Sequence, residues 1–372
     1  MNSKKRILIV SRSFYPDNSP RSFRTAELSK EFARQGHHVT VITPRVKEHR
    51  EFEQKHGVQI KDLGQPKWKW IFITEKGMSI KLFLRRTIKR FAGLLFEYPH
   101  IELVGMVKRA LKGEHNYDAL ISIAVPYPVH WGVASIWSKD TKKNPARIWI
   151  SDCGDPYMGQ ENDTFKKPFY FRYIEKWFMR KTDHITVPTE GAIQGYYPEF
   201  HTKIKVIPQG FRFEDIRKYQ GKKLKPYPVF GYAGMFLPGY RDPSEFLNYL
   251  CSLNREYEFH IYTRSTQLVE PFLKRSNGRI QIKELLPREN LLYELSKMDF
   301  MVNFENAGSK QTPSKLIDYT IIEKPILSVI TGDLNMEVID EFIKGNYRNA
   351  KIIEDPDQYR IENVCKNFLN LI

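Results

Sequence analysis

The segment that most constrains the fold of this chain covers residues 299–330. It begins with a short apolar run, residues 299–304, which has the pattern of a buried strand. After a polar loop, the Thr-Pro-Ser sequence at residues 312–314 opens a helical pattern, since proline fits the first turn of a helix. The helical pattern stops before Lys324-Pro325, and residues 326–330 predict the next buried strand. Strand, loop, helix and strand in this order predict one βαβ unit of a parallel sheet.

The loop before this helix has the features of a diphosphate site. Parallel sheets bind ligands outside the carboxyl ends of their strands, and the amides of residues 312–315 would point outward from the positive end of the helix. Lys315 would add a full charge, and Asp318, about one turn further along, could accept hydrogen bonds from a ribose. The alternative is a capped helix in which Asp318 is solvated or paired with a lysine. The pattern alone leaves both interpretations open.

The helix and the turn after it resemble a known motif. Pro313-Ser314-Lys315-Leu316-Ile317-Asp318-Tyr319, followed by Lys324-Pro325-Ile326-Leu327, resembles the donor-binding motif of retaining family-four glycosyltransferases of bacterial capsule and lipopolysaccharide biosynthesis. The resemblance extends, more weakly, over nearly the whole chain. It implies an α/β chain with the GT-B fold, in which two Rossmann-like domains with parallel sheets face each other across a cleft. It also implies a nucleotide-sugar donor, UDP- or GDP-linked, and a lipid-linked or oligosaccharide acceptor.

Length and composition agree with two cytoplasmic domains. A chain of 372 residues exceeds what one core usually fills. The resemblance places an acceptor domain at residues 1–209, a donor domain at residues 210–355, and a helix at residues 356–372 that returns to the first domain. No apolar stretch approaches the roughly 20 residues that span a bilayer. The three cysteines form neither a disulfide framework nor a zinc pattern, so we expect a reducing compartment.

The formal net charge of +16 favours an anionic partner. Residues 79–96 predict a helix with an apolar face and a basic remainder, close to Trp68, Trp70 and Phe72. A basic amphipathic helix favours peripheral binding at the inner face of the cell membrane. The alternative is a helix that packs on the core and leaves its basic face in solvent, and both remain open. The chain carries no nucleic-acid-binding motif, and we expect no such partner.

The loop after the first predicted strand, at residues 12–24, supplies two candidate acceptor-side residues. The family often has a Gly-Gly pair here, which lets the backbone approach the ligand, whereas this chain has Asn18-Ser19-Pro20-Arg21. Arg21 and Arg24 could contact phosphate or acceptor instead. The alternative is that both are ordinary surface residues. A helix is predicted to follow over residues 25–35.

The ends of two further strands provide candidate catalytic residues. Many members of the family carry a histidine at the end of the strand that corresponds to residues 117–124, and this chain has none there. His130, in the next helix, is the nearest candidate, and a packed histidine is the alternative. Asp152 and Asp155, after the strand over residues 146–151, resemble the family's Asp-x-x-Asp-Pro segment. They could orient an acceptor hydroxyl or act as a base, or they could cap a helix; we predict a catalytic role for Asp155 and an acceptor-side place for Asp152.

The second domain provides the candidate donor-binding residues. Gly234 and Arg264 end its first two predicted strands. Arg241 is the best match to the basic residue with which the family reaches the donor diphosphate. The wider family has two spaced glutamates; Asp318 stands in place of the second, one methylene shorter, and Lys310 in place of the first. The residues predicted to bind the donor are Gly234, Arg264, Lys310, Thr312, Pro313, Ser314 and Asp318.

The chemistry implied by the resemblance is sugar transfer with retention and without a metal or other cofactor. Negative charge builds on the leaving diphosphate, and fixed cations stabilise it in the transition state. We predict that Arg241 and Lys315 have this role, with His130 and Asp155 as further catalytic candidates. Two alternatives remain: a nucleotide-sugar epimerase with the GT-B fold, and a non-catalytic basic partner protein.

Overall fold

The structure, a computed structural model, describes residues 3–68, 80–159, 166–305 and 314–372. It contains two compact units. The first consists of Met1–Phe211 together with Tyr359–Ile372, and the second consists of Arg212–Gln358. The chain leaves the first unit after Phe211 and returns to it at Tyr359.

The first unit contains a seven-stranded sheet and helices that follow its strands. All neighbouring strands pair in parallel, in the order β3-β2-β1-β4-β5-β6-β7. Up to residue 206 its strands are β1 (Arg6–Ser11), β2 (His38–Thr43), β3 (Gln59–Asp62), β4 (Tyr117–Ile123), β5 (Ala146–Asp152), β6 (His184–Val187) and β7 (Ile204–Val206). Its helices there are α1 (Pro20–Arg34), α2 (His49–His56), α3 (Ile80–Phe96), α4 (Glu102–Leu111), α5 (Pro128–Ala134) and α6 (Phe171–Lys181).

Both faces of this sheet are covered, as the apolar sequence of β1 requires. Ile7 and Ile9 pack in a cluster with Phe32 of α1. Leu8 and Val10 belong to a second cluster, which contains side chains of α4, α5 and α6. Since successive side chains of a strand point to opposite faces, the two clusters lie on the two sides of the sheet. The unit is therefore a sheet between two helical layers.

Helix α1 begins earlier than the sequence predicts. The loop was expected to reach Arg24, but the helix starts at Pro20, because the side chain of Ser19 accepts a hydrogen bond from the amide of Ser22 at 3.2 Å. Serine at the N-cap followed by proline at the first helical position is a strong helix start. Arg21 and Arg24 consequently lie in the first turns of α1, with fixed directions.

The second unit contains a five-stranded parallel sheet in the order β10-β9-β8-β11-β12. Phe230, Phe259 and Phe300 stack across three adjacent strands, with ring centroids 4.8 Å and 4.5 Å from that of Phe230. Its strands are β8 (Val229–Ala233), β9 (Glu258–Tyr262), β10 (Ile280–Ile282), β11 (Phe300–Glu305) and β12 (Ile326–Ile330). Its helices are α7 (Ser244–Ser252), α8 (Glu270–Arg275), α9 (Arg288–Ser296), α10 (Ser314–Ile321) and α11 (Met336–Ile343).

The predicted βαβ unit is confirmed by the pairing of β11 with β12. The two strands are parallel, with Met301 opposite Ile326, and α10 lies between them in the chain. Apolar periodicity is the reason for the agreement: Leu316, Ile317 and Ile321 form the buried side of α10.

The last helix, α12 (Ile361–Leu369), belongs to the first unit. Phe368 contacts the ring of Phe32 on α1, with centroids 6.4 Å apart. Ile361, Val364 and Cys365 are buried in the same apolar cluster. Among the helices of the described residues, none has the length and apolar character that crossing a membrane requires.

Candidate functional site

A cavity of about 280 Å³ lies in the second unit, where β8 and β9 end. Gly234 and Arg264, which follow these strands, line it together with Asp318 of α10. Its lining also includes the apolar side chains of Leu286 and Leu291. Parallel sheets present their ligand sites at this edge. The structure therefore brings three of the predicted donor-binding residues to one cavity.

Gly234 and the motif residue Tyr319 fix the backbone beside this cavity. Gly234 has a φ of 152°, which favours glycine, and its amide donates to the carbonyl of Tyr262 at 2.9 Å. The amide of Ala233 donates to the hydroxyl of Tyr319 at 3.1 Å. Burial raises the pKa of Tyr319, so its hydroxyl stays neutral. Tyr319 thus ties α10 to the end of β8, a role that the sequence motif alone does not reveal.

Asp318 forms an ion pair that the sequence analysis did not identify. Nη2 of Arg288 donates to Oδ1 of Asp318, and the two side chains are 25% and 26% exposed. Burial raises the pKa of Asp318 and Arg288 lowers it, with a net shift above the usual value. One sequence signal pointed to Arg288: a cation at the first position of a helix opposes the helix dipole, so such a residue needs another partner.

Arg241 lies in a tight turn after β8. Its amide donates to the carbonyl of Leu237 at 2.9 Å, and its guanidinium opposes the rise that burial causes in the pKa of the Tyr232 hydroxyl. Its Nε is buried and has no hydrogen-bond partner among the described residues. The hydroxyl of Tyr232 also donates to the carbonyl of Met235, which lines the cavity. Arg241 is thereby connected to the edge of the cavity without lining it.

Several predicted donor residues fall outside the described parts of the chain. Lys310, Thr312 and Pro313 lie in the gap between residues 305 and 314. Ser314 and Lys315 form the first turn of α10, for which the backbone alone is described. The roles of these five residues stay predictions.

Cationic side chains are the candidates for holding a diphosphate here. Arg264 is exposed at the cavity, and Lys315 belongs to the helix end that carries partial positive charge.

Across residues 3–68, 80–159, 166–305 and 314–372, no group of three or more His, Cys, Asp or Glu side chains is placed to hold a metal ion.

In the first unit, Asp152 and Arg24 form a buried ion pair. Arg24 donates from Nε to Oδ2 at 3.1 Å and from Nη2 to Oδ1 at 2.9 Å, and the Thr186 hydroxyl donates to Oδ1 at 2.7 Å. Arg24 also donates to the carbonyls of Ile207 and Pro208. Burial raises the pKa of Asp152, but Arg24 and its other partners hold it below the usual value. The pair ties β5, α1 and the segment after β7 together, and its predicted contact with an acceptor stays a prediction.

Arg21 and Asp155 are more accessible than this pair. Nη1 of Arg21 lies 3.7 Å from Oδ2 of Asp152, and a Cβ on Gly154 would lie 2.0 Å from Nη2 of Arg21. Glycine at position 154 is therefore what leaves room for this guanidinium. The side chain of Asp155 is exposed, and its carbonyl accepts a hydrogen bond from the hydroxyl of Tyr127 at 2.8 Å.

His130 has the surroundings of a packed histidine. Its Nδ1 is 2.7 Å from Oγ of Ser122, and its Nε2 is 3.5 Å from Sγ of Cys153. The ring stacks on Phe178 with centroids 5.2 Å apart. Burial lowers its pKa to about 3, so the ring is neutral near pH 7. Its catalytic role stays a prediction, and substrate contact would require the surrounding core to open.

Comparison with known protein sequences gives a match to one family model. Residues 23–214, more than half of the chain, match the model of Glycosyltransferase Family 4. No curated protein sequence matches the chain significantly.

Solved structures match nearly the full length of the chain. A glycosyltransferase from Rickettsia africae is 12% identical, with a TM-score of 0.58 over 99% of this chain and 97% of that one. The Anabaena protein HepE, solved with UDP and glucose, is 10% identical, with a TM-score of 0.58 over 98% of both chains. The lipopolysaccharide outer core galactosyltransferase WaaB is 13% identical, with a TM-score of 0.55 over 98% of both chains. At these identities the likeness concerns the fold, and the predicted GT-B class with two Rossmann-like domains is confirmed.

Proposed function

The chain belongs to glycosyltransferase family 4, and we propose that it transfers a sugar, with retention, from a nucleotide-sugar to a lipid-linked saccharide of a cell-surface polysaccharide. The observation that carries this proposal is the cavity at the ends of β8 and β9. It combines apolar side chains for a nucleobase with the carboxylate of Asp318 for a ribose. Asp318 belongs to α10, and we assign the diphosphate to the amino-terminal end of this helix, at Ser314.

The donor that suits this cavity best is a UDP-sugar. Leu286 and Leu291 offer an apolar surface to a base, and the cavity volume of about 280 Å³ is modest. A pyrimidine requires less space than a purine, and the fold-related HepE was solved with UDP and glucose. A GDP-sugar is the second candidate.

The catalytic step needs stabilisation of the departing diphosphate. We assign this to Arg241, to Lys315 and to the amides at the start of α10, which together would take the place of a metal ion. The proton of the acceptor hydroxyl passes to a phosphate oxygen of the leaving group as the new bond forms on the same face of the sugar. In the first unit, the exposed carboxylate of Asp155 is the group that we assign to orienting that hydroxyl.

A peripheral contact with anionic membrane completes the proposal. In α3, Ile88, Phe91 and Phe96 are exposed, Phe91 by 56%, beside the exposed Arg86 and Arg90. Apolar side chains left in solvent next to cations are typical of a helix that lies in the interfacial region of a bilayer. This exposure favours the membrane over the core-facing alternative for α3.

A second helix supports the same assignment. Phe169, Tyr173 and Trp177 recur at four-residue intervals along α6 and just before it, and all three are exposed, Phe169 by 72%. Arg172 and Arg180 are exposed on the same helix. The hydroxyl of Tyr170 donates to the carbonyl of Leu95, so α6 begins beside the end of α3. Aromatic and basic side chains together favour the level of lipid headgroups.

The donor proposal is tested by nucleotide binding and product analysis. A thermal-shift screen against UDP, GDP, ADP and CMP should give its largest shift with UDP, because a ligand stabilises the state that binds it. Chromatography of a UDP-sugar incubated with enzyme alone tests the epimerase alternative. A second sugar nucleotide that appears without acceptor would replace the transferase proposal, and a chain that binds no nucleotide would support the partner-protein alternative.

The membrane proposal is tested by flotation with liposomes. The protein should float with anionic liposomes at low salt and dissociate as ionic strength rises. Changing Arg85, Arg86, Lys89 and Arg90 to glutamate should abolish flotation, since each basic residue near an anionic surface contributes about 1 kcal/mol.

The matched control changes four cations on another surface of the first unit to glutamate. Nucleotide binding should survive in both variants, because the cavity lies in the second unit. If the α3 variant floats like the unchanged protein, α3 is an ordinary packed helix. The control residues are Lys139, Lys142, Lys143 and Arg147.

A further inference from the structure

We infer that Arg288 is a positioning residue of the donor site: it holds Asp318 by one carboxylate oxygen and thereby presents the other oxygen to the ribose of the nucleotide. This inference rests on the proposed function, since it assumes a nucleoside diphosphate in the cavity of the second unit. It concerns a residue outside the motif, 30 positions before Asp318 in the sequence.

The position of Arg288 in its helix needs an explanation that the helix does not supply. Arg288 is the first residue of α9, after Pro287. The amino-terminal end of a helix favours anions, so a cation there weakens the helix slightly. A partner that compensates for this is Asp318, on another element. Leu291 of the same helix lines the cavity, so α9 brings Arg288 to the cavity rim.

The ion pair fits the short side chain of Asp318. Aspartate is one methylene shorter than the glutamate that the resemblance leads one to expect, and a free aspartate at this place would reach less far. A guanidinium is planar, carries five N–H donors and keeps its charge at any pH that a protein tolerates. The contact joins Nη2 to Oδ1, and we assign Oδ2 to a ribose hydroxyl.

The pair also controls the charge of Asp318. Burial raises the pKa of this carboxyl and Arg288 lowers it, so loss of Arg288 would raise the pKa further. A protonated carboxyl is a poorer acceptor for a ribose hydroxyl. Among the residues that the structure describes, the other titratable or charged side chains lining the cavity are Tyr262, Arg264 and Tyr319. Burial raises the pKa of both tyrosines, and arginine keeps its charge, so Asp318 is the lining group whose protonation would change when Arg288 is lost.

The test compares UDP with 2′-deoxy-UDP by calorimetry at pH 5.5 and pH 8. The proteins are the unchanged chain, Arg288→Gln, Arg288→Lys, Asp318→Asn and the control Arg217→Gln. Arg217 stacks on Tyr293 of α9, with Cζ 4.8 Å from the ring centroid, and does not line the cavity. The control therefore removes one cation that contacts α9 away from the cavity. If GDP binds better than UDP, GDP and its 2′-deoxy form take their place.

The unchanged chain should prefer the ribose form by about tenfold, the value of one hydrogen bond to a charged acceptor. Arg288→Gln should reduce this preference to about twofold or less and bind UDP more weakly at pH 5.5 than at pH 8, relative to Asp318→Asn. That reference cancels the titration of the phosphate itself, whose second pKa is about 6. Arg288→Lys should keep the pH profile of the unchanged chain but only part of its ribose preference, because lysine keeps the charge and lacks the planar guanidinium. Arg217→Gln should behave as the unchanged chain.

Two outcomes overturn the inference, and a third concerns the proposed function itself. The inference fails if Arg288→Gln keeps the full ribose preference while Asp318→Asn loses it, or if Arg288→Gln has the pH profile of the unchanged chain. The donor site would stand in both cases. If the unchanged chain binds neither UDP nor GDP, the proposed function fails. Thermal unfolding of each variant checks that a lost preference does not come from a lost fold, and Arg288→Lys remains available if Arg288→Gln is unstable.

Discussion

Asp152 in the first unit and Asp318 in the second are both paired with an arginine near the carboxyl end of a parallel sheet, yet their surroundings differ. Asp152 is 1% exposed and accepts two hydrogen bonds from Arg24 and one from Thr186. Asp318 is 26% exposed at a cavity, where Arg288 bonds to one of its oxygens. The pKa of Asp152 lies below its usual value and that of Asp318 lies above it. A carboxylate whose oxygens are all engaged holds the fold together, whereas one held by a single oxygen beside a cavity can bind a ligand.

A third buried carboxylate extends this comparison, because among the described residues it pairs with a tyrosine hydroxyl and not with an arginine. Glu175 of α6 is 1% exposed, and its Oε2 accepts a hydrogen bond from the neutral hydroxyl of Tyr197 at 2.9 Å. Burial raises its pKa to about 7. The direction of each shift agrees with the partner. The bidentate arginine holds the pKa of Asp152 below its usual value, whereas the single arginine contact of Asp318 and the neutral tyrosine hydroxyl at Glu175 leave both pKa values raised by burial.

The largest effect should come from breaking the buried pair of the first unit. Asp152→Asn or Arg24→Met should lower the free energy of unfolding by about 3–5 kcal/mol, because removing one partner leaves an uncompensated buried charge or donors. All six tryptophans lie before residue 178, so tryptophan fluorescence in urea follows the first unit. Asp318→Asn, in the second unit, is the control and should leave this transition unchanged.

The pH dependence of the same transition has a definite sign. The pKa of Asp152 is lowered by folding, so its contribution is present above its unfolded pKa of about 4 and is lost as the pH falls through the folded value. Asp152→Asn should therefore remove part of the acid sensitivity. An Asn variant as stable as the unchanged chain would show that the pair is replaceable and would weaken the contrast with Asp318.

The next largest effect concerns Arg241. Arg241→Ala should lower turnover by about a hundredfold to a thousandfold, the range for a donor aimed at developing negative charge. Stability should change less, because the side chain lies in a turn and leaves no core cavity. Lys315→Ala should act in the same direction. Activity that EDTA abolishes and Mg²⁺ restores would show that a metal, and not these cations, neutralises the diphosphate.

Asp318→Ala should have a smaller effect, and on binding. Loss of a hydrogen bond to a charged acceptor costs about 1.5–3 kcal/mol, or roughly tenfold to a hundredfold in affinity for a nucleoside diphosphate. Calorimetry with UDP measures this change. The urea transition of the first unit should not move, in contrast to Asp152→Asn. Unchanged affinity would contradict the ribose role of Asp318.

The sequence predicts those parts of the fold that depend on local patterns. The βαβ unit of β11, α10 and β12 follows from apolar periodicity and from proline near the helix start, and both signals lie within about 30 residues. The early start of α1 was missed because Pro20 was assigned to a loop, although Ser19 caps the helix.

The candidate site was predictable only in part, because its contacts join distant parts of the chain. Arg24 meets Asp152 across 128 positions and Arg288 meets Asp318 across 30, and no local pattern encodes either pairing. For the same reason the sequence could not separate a packed His130 from a reactive one. The sequence also left undecided whether α3 faces a membrane or packs on the core, since periodicity identifies an apolar face but not what covers it.

The smallest effect concerns Glu175 and completes the comparison of the three carboxylates. Folding raises its pKa from an ordinary value to about 7, so its contribution to stability is present below the unfolded pKa and is lost as the pH rises through 7. Between pH 6 and 8 the first unit should lose about 1.4 kcal/mol of unfolding free energy, which corresponds to one pKa unit. Glu175→Gln keeps an acceptor for Tyr197 and carries no charge, so its stability should stay level over this range. Urea unfolding of both proteins, followed by tryptophan fluorescence, isolates the effect, because other groups titrate equally in each. Parallel pH profiles would mean that the carboxylate is already ionised at pH 6, and that burial alone does not separate Glu175 from the arginine-paired Asp152.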